Sequence, residues 1–285
     1  MNQRELSPEY VEARRVLLDA LEALGPQRAA LVLAGAQAVY LRTGPTSLAI
    51  AEYTTDGDLA IDPKLLEDAP PLGDLMKAAG FELAKLQGSE EPGIWHAPAQ
   101  IRGREVKVPV DLIVPAGVAS PGGTRGARLG AHGKSAARKT IGLEAALVDN
   151  DAMSIGALDP ADQRTSHVRV AGTAALLVAK THKLNDRVEE RREDRLDDKD
   201  ASDVVRLLQT SSPTTIARTL SSLLDHPSAG QPTARALERF QIMFGGRAGI
   251  GIEMAARALR GAVPEERVRA ICLAYSDELF EAISR

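Results

Sequence analysis

The sequence predicts an α+β protein in which strands and helices mix in the first part and helices dominate the second. Two observations carry this expectation. Between residues 28 and 114 short apolar or alternating runs are punctuated by glycine and proline, whereas from Thr173 onward apolar residues recur at helical spacing almost throughout. The change of character falls near 160–170, after Leu158–Gln163, and divides the 285 residues into 1–165 and 166–285. With 44% hydrophobic and 26% charged residues, the chain has the composition of a folded globular protein and not of a disordered or collagen-like one.

Residues 7–24 open on Ser7-Pro8 and place Val11, Val16, Leu17, Leu21 and Leu24 along one stripe, an amphipathic helix stopped by Gly25-Pro26. Leu31 to Leu33 reads as a short buried strand, Gly35 as a tight exit, and 36–41 as the start of a second helix. Residues 53–62 alternate as a strand ended by Pro63, and helices are expected over 63–68 and 72–79. Residues 93–97 and 104–114 read as strands joined by a turn containing Gly103. In the second, Val106, Val108, Val110 and Leu112 share one face, with Glu105, Lys107 and Asp111 on the other. The glycine-rich 115–135 reads as a loop and 142–148 as a further strand, and breaks in the helical part are expected at 211–213, 227–232 and 245–251.

Composition also excludes function classes. A single cysteine, Cys272, rules out an internal disulfide framework or a multi-cysteine zinc site. No stretch approaches the ~18 apolar residues of a membrane span, and the start lacks a signal-type apolar core, so a cytoplasmic location without a membrane partner is expected. Net charge is -4, which disfavours coating of nucleic acid by the whole surface, and 3% aromatics with Trp95 as sole tryptophan disfavour a base-stacking platform. Gly133-Lys134-Ser135 mimics the end of a phosphate-binding P-loop, but the position of its first glycine holds Arg128. The five histidines show no metal-ligand spacing and read as surface or structural residues.

Three aspartates stand at strand positions. The two-residue spacing of Asp56 and Asp58 puts both carboxylates on one side of a pleat, and Asp111 lies on the polar side of a later strand. Such a trio suits magnesium, which takes carboxylate oxygens together with substrate phosphates and water. An isolated pair of this spacing also arises by chance at a solvated strand edge. What distinguishes this pair is the order strand, Gly35, helix, Asp56-x-Asp58 strand, Asp111 strand. In the helix beginning near Thr173, Leu176, Leu177, Lys180, Leu184 and Arg187 fall within one arc of roughly 100°. Cations among leucines either meet carboxylates, meet a phosphate chain, or snorkel at a domain edge. His182 and Lys183 read as more peripheral. The charge run 186–203 reads as a solvated helix face, with Asp200 and Asp203 as exceptions. They flank the apolar stripe Ala201, Val204, Val205 and Leu208 and can point toward Lys180.

The ordered set Gly35-Ala36, Thr55-Asp56-Gly57-Asp58, Val110-Asp111-Leu112, Lys180 with Arg187, and Lys199-Asp200-Ala201-Ser202-Asp203 resembles the polymerase-beta-like nucleotidyltransferase superfamily. The last two elements resemble its AbiEii branch, the toxin component of AbiE-type and MenT-type toxin–antitoxin and phage-defence systems. The resemblance spans about residues 28–208. It implies a nucleotidyltransferase-type mixed sheet with flanking helices, followed by a helical domain closing a nucleotide cleft. It also implies Mg2+- or Mn2+-dependent transfer of a nucleoside monophosphate from an NTP to an acceptor hydroxyl of RNA, such as a tRNA 3′ end, with a cognate antitoxin as partner. Asp56, Asp58 and Asp111 would hold metal, with Asp111 also favouring deprotonation of the acceptor. Gly35, Ala36, Lys180 and Arg187 would bind the nucleotide, and Asp200 or Asp203 would orient Lys180 or bind ribose. Superfamily members usually carry Gly-Ser or Gly-Gly where this chain has Gly35-Ala36, and many carry an arginine where it has Glu52 and Tyr53. Two other readings stand beside this one: a small-molecule nucleotidyltransferase of the aminoglycoside-modifying kind, and a non-catalytic nucleotide-binding or interaction module.

Residues 99–141 hold Arg102, Arg104, Lys107, Arg125, Arg128, Lys134, Arg138 and Lys139 against only Glu105 and Asp111. This excess reads either as a dock for an anionic acceptor or as a solvated loop balanced by acids nearby.

Overall fold

The computed structural model describes residues 6–44, 52–121, 125–190 and 198–285. The chain has a mixed α/β architecture with a helical C-terminal region and divides into two compact units. The first consists of Met1–Gln37, Ala51–Thr140 and Asn150–Val170, the second of Ala38–Ile50, Ile141–Asp149 and Ala171–Arg285. No helix among the described residues is long and apolar enough to cross a membrane.

In chain order the elements of the first part are α1 (Pro8–Ala23), β1 (Leu31–Ala34), α2 (Gly35–Thr43), β2 (Gly57–Ile61), α3 (Leu72–Ala78), β3 (Glu82–Leu86), β4 (Ser89–Ile101), β5 (Arg104–Pro115), β6 (Arg138–Thr140), β7 (Asn150–Gly156) and β8 (Thr165–Ala171). Helix α1 begins where Ser7 accepts the Tyr10 N–H through its Oγ, and its apolar stripe packs on β2, β4 and β5. The strands form one mixed sheet in the order β3-β4-β5-β2-β1-β8-β7, with β6 added to β5. Strand β1 is antiparallel to β2 and parallel to β8, β2 is parallel to β5, and β4 is antiparallel to β3 and β5. All four residues of β1 are buried, as a central strand covered on both faces requires.

The structure departs from the sequence reading at five places. The strand expected over 53–62 begins only at Gly57, because the segment before it is held as a loop. Thr54 Oγ1 donates to Asp56 Oδ1 at 2.5 Å and Gln37 Nε2 to the Asp56 carbonyl at 2.8 Å. The helix expected over 63–68 is a single 3-10 turn, Pro63–Leu65, capped by Asp62. The strand expected over 142–148 is a 3-10 turn, Ala145–Leu147, whose buried Ala145 and Ala146 meet the helix that follows β8. A short apolar run does not by itself distinguish strand from turn. Strand β3 escaped the sequence reading because it is an edge strand on which only Ala84 is buried. Residues 166–170, on the helical side of the expected boundary, belong to β8.

The second unit is built from α4 (Thr173–Glu190), α5 (Lys199–Thr210), α6 (Pro213–Leu224), α7 (Gly230–Phe244), α8 (Ile250–Ala258) and α9 (Glu265–Ile283). Its core includes stacked Phe240 and Phe244, with ring centroids 5.0 Å apart, and the buried Cys272, whose thiol burial pushes up to about 12. Buried Arg206 on α5 donates to Thr43 Oγ1 at 2.8 Å and to the Gly44 carbonyl at 2.9 Å, capping the C-terminal end of α2.

His182, expected at the periphery, is buried in this unit. A guanidinium only donates, so the Arg239 contact at 2.8 Å makes Nδ1 the acceptor and leaves the proton on Nε2, which donates to the Pro232 carbonyl at 2.8 Å. Burial lowers the imidazole's pKa below its ordinary value, against the upward pull of the Pro232 carbonyl, Glu144 and Asp186. The unfolded chain takes up this proton near pH 6.5 while the native chain resists it, so stability falls as pH drops through that value. Thermal midpoints are expected to decline between about pH 7.5 and 5.5, and more shallowly in His182→Gln. Equal slopes in the two proteins would show that His182 does not contribute.

Candidate functional site

In the first unit, the antiparallel register of β1 and β2 sets Ala34 opposite Asp58. The next residue, Gly35, turns the chain into α2 at φ +65, and a Cβ built on it would lie 1.9 Å from Asp58 Oδ2. The Asp58 carboxylate therefore occupies the space a side chain at 35 would need. Glycine is required there twice over, for the left-handed backbone and for the close approach. Gly35→Ala is expected to displace Asp58 and to destabilise the chain by about 1–3 kcal/mol. The cost should be smaller in an Asp58→Ala background, where the clash is gone and only backbone strain remains. Equal costs in the two backgrounds, read from urea unfolding, would refute the close approach.

Strand β5 runs parallel to β2 on its other side with Asp58 and Asp111 as Cα partners, which places both carboxylates on one face of the sheet. Two anions so placed need a cation. Strand β6 supplies one, because it pairs with β5 at Ile113 through Arg138. Arg138 Nη2 donates to Asp111 Oδ2 at 2.6 Å and Nη1 to Thr140 Oγ1 at 2.8 Å, while its buried Nε has no hydrogen-bond partner among the described residues.

Asp56 lies at the mouth of β2, and its carboxylate accepts the Thr54 hydroxyl. Its carbonyl is held by a buried polar strut. Arg14 Nε donates to Gln37 Oε1 at 2.7 Å, Gln37 Nε2 reaches Asp56, and Arg14 also donates to the Gly156 carbonyl at 3.0 Å and to the Tyr10 hydroxyl at 3.1 Å. Burial lowers the Arg14 pKa, and the Tyr10 and Glu52 partners offset part of that effect.

Among the described residues no three His, Cys, Asp or Glu side chains are grouped so as to hold one metal ion. The Asp58–Asp111 pair nevertheless fits magnesium. That ion binds through one or two carboxylates and completes its shell with substrate phosphates and water, and the Gly35 cradle gives the Asp58 carboxylate room.

The second unit holds a separate cluster, formed by α4 and α5. Lys180, with its side chain 4% exposed, donates to Asp200 Oδ1 at 2.5 Å and to Asp203 Oδ2 at 2.6 Å. Arg187 Nη2 stands 2.7 Å from Asp200 Oδ2, and Lys183 Nζ stands 3.5 Å from the same oxygen while 49% exposed. Burial alone would lower the Lys180 pKa, but the two carboxylates reverse this and hold it well above the usual lysine value. Burial likewise opposes ionisation of Asp200, yet Lys180, Lys183 and Arg187 keep its pKa well below the carboxylate range. The five side chains carry one net positive charge, and it resides toward the Lys183 and Arg187 side.

The structure thus sets Gly35, Asp58 and Asp111 together, with Asp56 two residues before Asp58, and in the other unit gathers Lys180, Arg187, Asp200 and Asp203. Ala36, the second helical residue of α2, is buried and offers no polar side-chain atom. Sequence reasoning missed Arg14, Gln37 and Arg138 as supporting residues. For Arg14 a signal exists, since it lies four residues from Tyr10 and from Leu18 on the buried stripe of α1, a lone cation among apolar neighbours. For Arg138 none exists beyond membership of a basic segment. No protein-family model matches the chain, and no curated protein matches it as a relative. The functional reading therefore rests on residues and geometry.

Proposed function

We propose that the chain is a nucleotidyltransferase that moves a nucleoside monophosphate from an NTP to an acceptor hydroxyl of RNA and releases pyrophosphate, acting as the toxin of a toxin–antitoxin or phage-defence system. The observation that carries this reading is the constellation of Gly35 cradling Asp58 with Asp111 in register on the next parallel strand. It also agrees with the resemblance of the ordered motifs to the polymerase-beta-like superfamily.

Asp58 and Asp111, with Asp56 beside them in sequence, are the residues that would hold Mg2+ or Mn2+. When bound, the ion supplies Lewis-acid stabilisation of the charge that builds on the transferring phosphate. The chain's own groups do the rest. The backbone N–H groups at Gly35 and Ala36 open α2 and offer donors to phosphate oxygens, and since Ala36 lacks a hydroxyl the contact there is made by main chain alone. Asp111 accepts a hydrogen bond from the acceptor hydroxyl and draws its proton, which requires Arg138 to leave Oδ2. In the second unit Asp200 and Asp203 orient Lys180, the role that their paired contacts to its ammonium support.

Incubation with labelled NTPs, magnesium and either total RNA or small polyhydroxylated amines tests this. Magnesium-dependent labelling of RNA is expected. Labelling of the amines alone would instead make the chain a small-molecule nucleotidyltransferase, and NTP binding without transfer to either would make it a binding module.

A further inference from the structure

The strap from Arg125 to Ala137 reads in the sequence as a basic, glycine-rich loop, yet in the structure it is built and anchored. Ala127 N–H donates to the Ala137 carbonyl at 2.9 Å, Lys139 N–H to the Arg125 carbonyl at 2.8 Å, and Gly93 N–H to the Ser135 carbonyl at 2.9 Å. Ala127, Leu129, Ala136 and Ala137 are buried. Trp95 Nε1 donates to the Ala136 carbonyl at 2.9 Å, and His132 Nδ1 accepts the Leu72 N–H at 3.0 Å. Gly126 lets the two limbs of the strap meet, since a Cβ there would lie 2.2 Å from the Lys134 carbonyl oxygen.

With the apolar residues turned inward, Arg125, Arg128 and Lys134 are exposed and line a groove of about 380 Å³ together with Glu90 and Ser135. Arg125 is tied to Glu91 at 2.6 Å. Ordering a strap costs about 1–2 kcal/mol per residue, so a backbone anchored at this many points, with three cations displayed along one groove, is a built arrangement and not the default state of a solvated loop. The lining contains no aromatic ring to stack on a base, and its positive charges would repel a polycationic aminoglycoside. They suit a phosphodiester chain. The strap also runs directly into β6, whose Arg138 bonds Asp111, so the groove is continuous in chain with the carboxylate that faces the acceptor hydroxyl.

We propose that this groove binds the phosphate backbone of the RNA acceptor without reading its sequence. The inference rests on the reading of the chain as an RNA nucleotidyltransferase. A phosphate takes Arg125 from Glu91 and meets Arg128 and Lys134 beside it.

Fluorescence anisotropy of a labelled single-stranded RNA and of deacylated tRNA, titrated between 50 and 200 mM salt, tests it. The triple variant Arg125→Ala/Arg128→Ala/Lys134→Ala is expected to bind at least ~10-fold more weakly and to flatten the slope of log affinity against log salt by about two, because each phosphate that a cation neutralises on a single strand adds ~0.7 to that slope. Binding of a fluorescent NTP should be unchanged, and RNAs of unrelated sequence should lose affinity alike. Arg128→Glu, a single exposed charge reversal, guards against misfolding of the triple variant and should weaken RNA binding more than Arg128→Ala. An unchanged salt slope, or no RNA binding by the wild type, overturns the proposal. The two readings fail separately. Transfer to RNA that persists in the triple variant with an unchanged slope sinks the groove alone, whereas groove-dependent RNA binding by a wild type that transfers nothing sinks the enzymatic reading alone.

Discussion

Asp58→Asn is expected to abolish magnesium-dependent transfer of NMP while leaving the fold intact. The substitution keeps the volume that fills the Gly35 cradle and removes only the charge, so packing at the β1–α2 turn is preserved. Removing a group that merely orients a metal ligand costs about 10- to 100-fold, so loss of the ligand itself should exceed about 100-fold. Asp111→Asn should behave in the same way. It also leaves Arg138 without its anionic partner, so a modest loss of stability is expected in that variant. Labelled-NTP transfer assays paired with urea unfolding separate the two effects. Transfer within tenfold of wild type by Asp58→Asn would remove this residue from the metal site and with it the main support for the proposed function.

Lys180→Met is expected to destabilise the chain by about 3–5 kcal/mol, the usual cost of removing one partner from a buried ion cluster. Asp200 retains Arg187 and Lys183, whereas Asp203 loses the lysine that pairs with it, so the uncompensated charge is left mainly at 203. Lys183→Met, at a half-exposed position, should cost less than about 1 kcal/mol. Adding Asp203→Asn to Lys180→Met should recover part of the loss, because it neutralises the stranded carboxylate. Equal destabilisation by the two lysine variants in equilibrium unfolding would show that the buried Lys180 contributes no more to stability than the half-exposed Lys183. Activity at matched folded fractions then tells whether Lys180 matters to transfer beyond its part in stability.

Much of this was legible in the chain because it depends on local period. The stripe of α1, the alternation of Val106 to Leu112, and the arc that sets Lys180 among leucines all follow from which residues face inward on one element. In the structure, Lys180, Asp200 and Asp203 are all buried. Where a local rule gave two answers, context decided. Residues 145–147 are apolar enough for a strand but fold as a turn against α4, and β3 is too exposed and charged to announce itself as a strand at all.

By itself, then, the sequence determined the mixed first part, the helical second part, the glycine at the β1–α2 turn and the aspartates that deserve mutation. Only the tertiary structure decided which groups those aspartates meet. Arg138 reaches Asp111 across 27 positions, Arg14 meets Gln37 across 23 and Gly156 across 142, and the basic loop becomes an anchored strap through Trp95 and His132. Periodicity records burial within an element, whereas these pairings depend on sheet register and strand order, which no local spacing encodes.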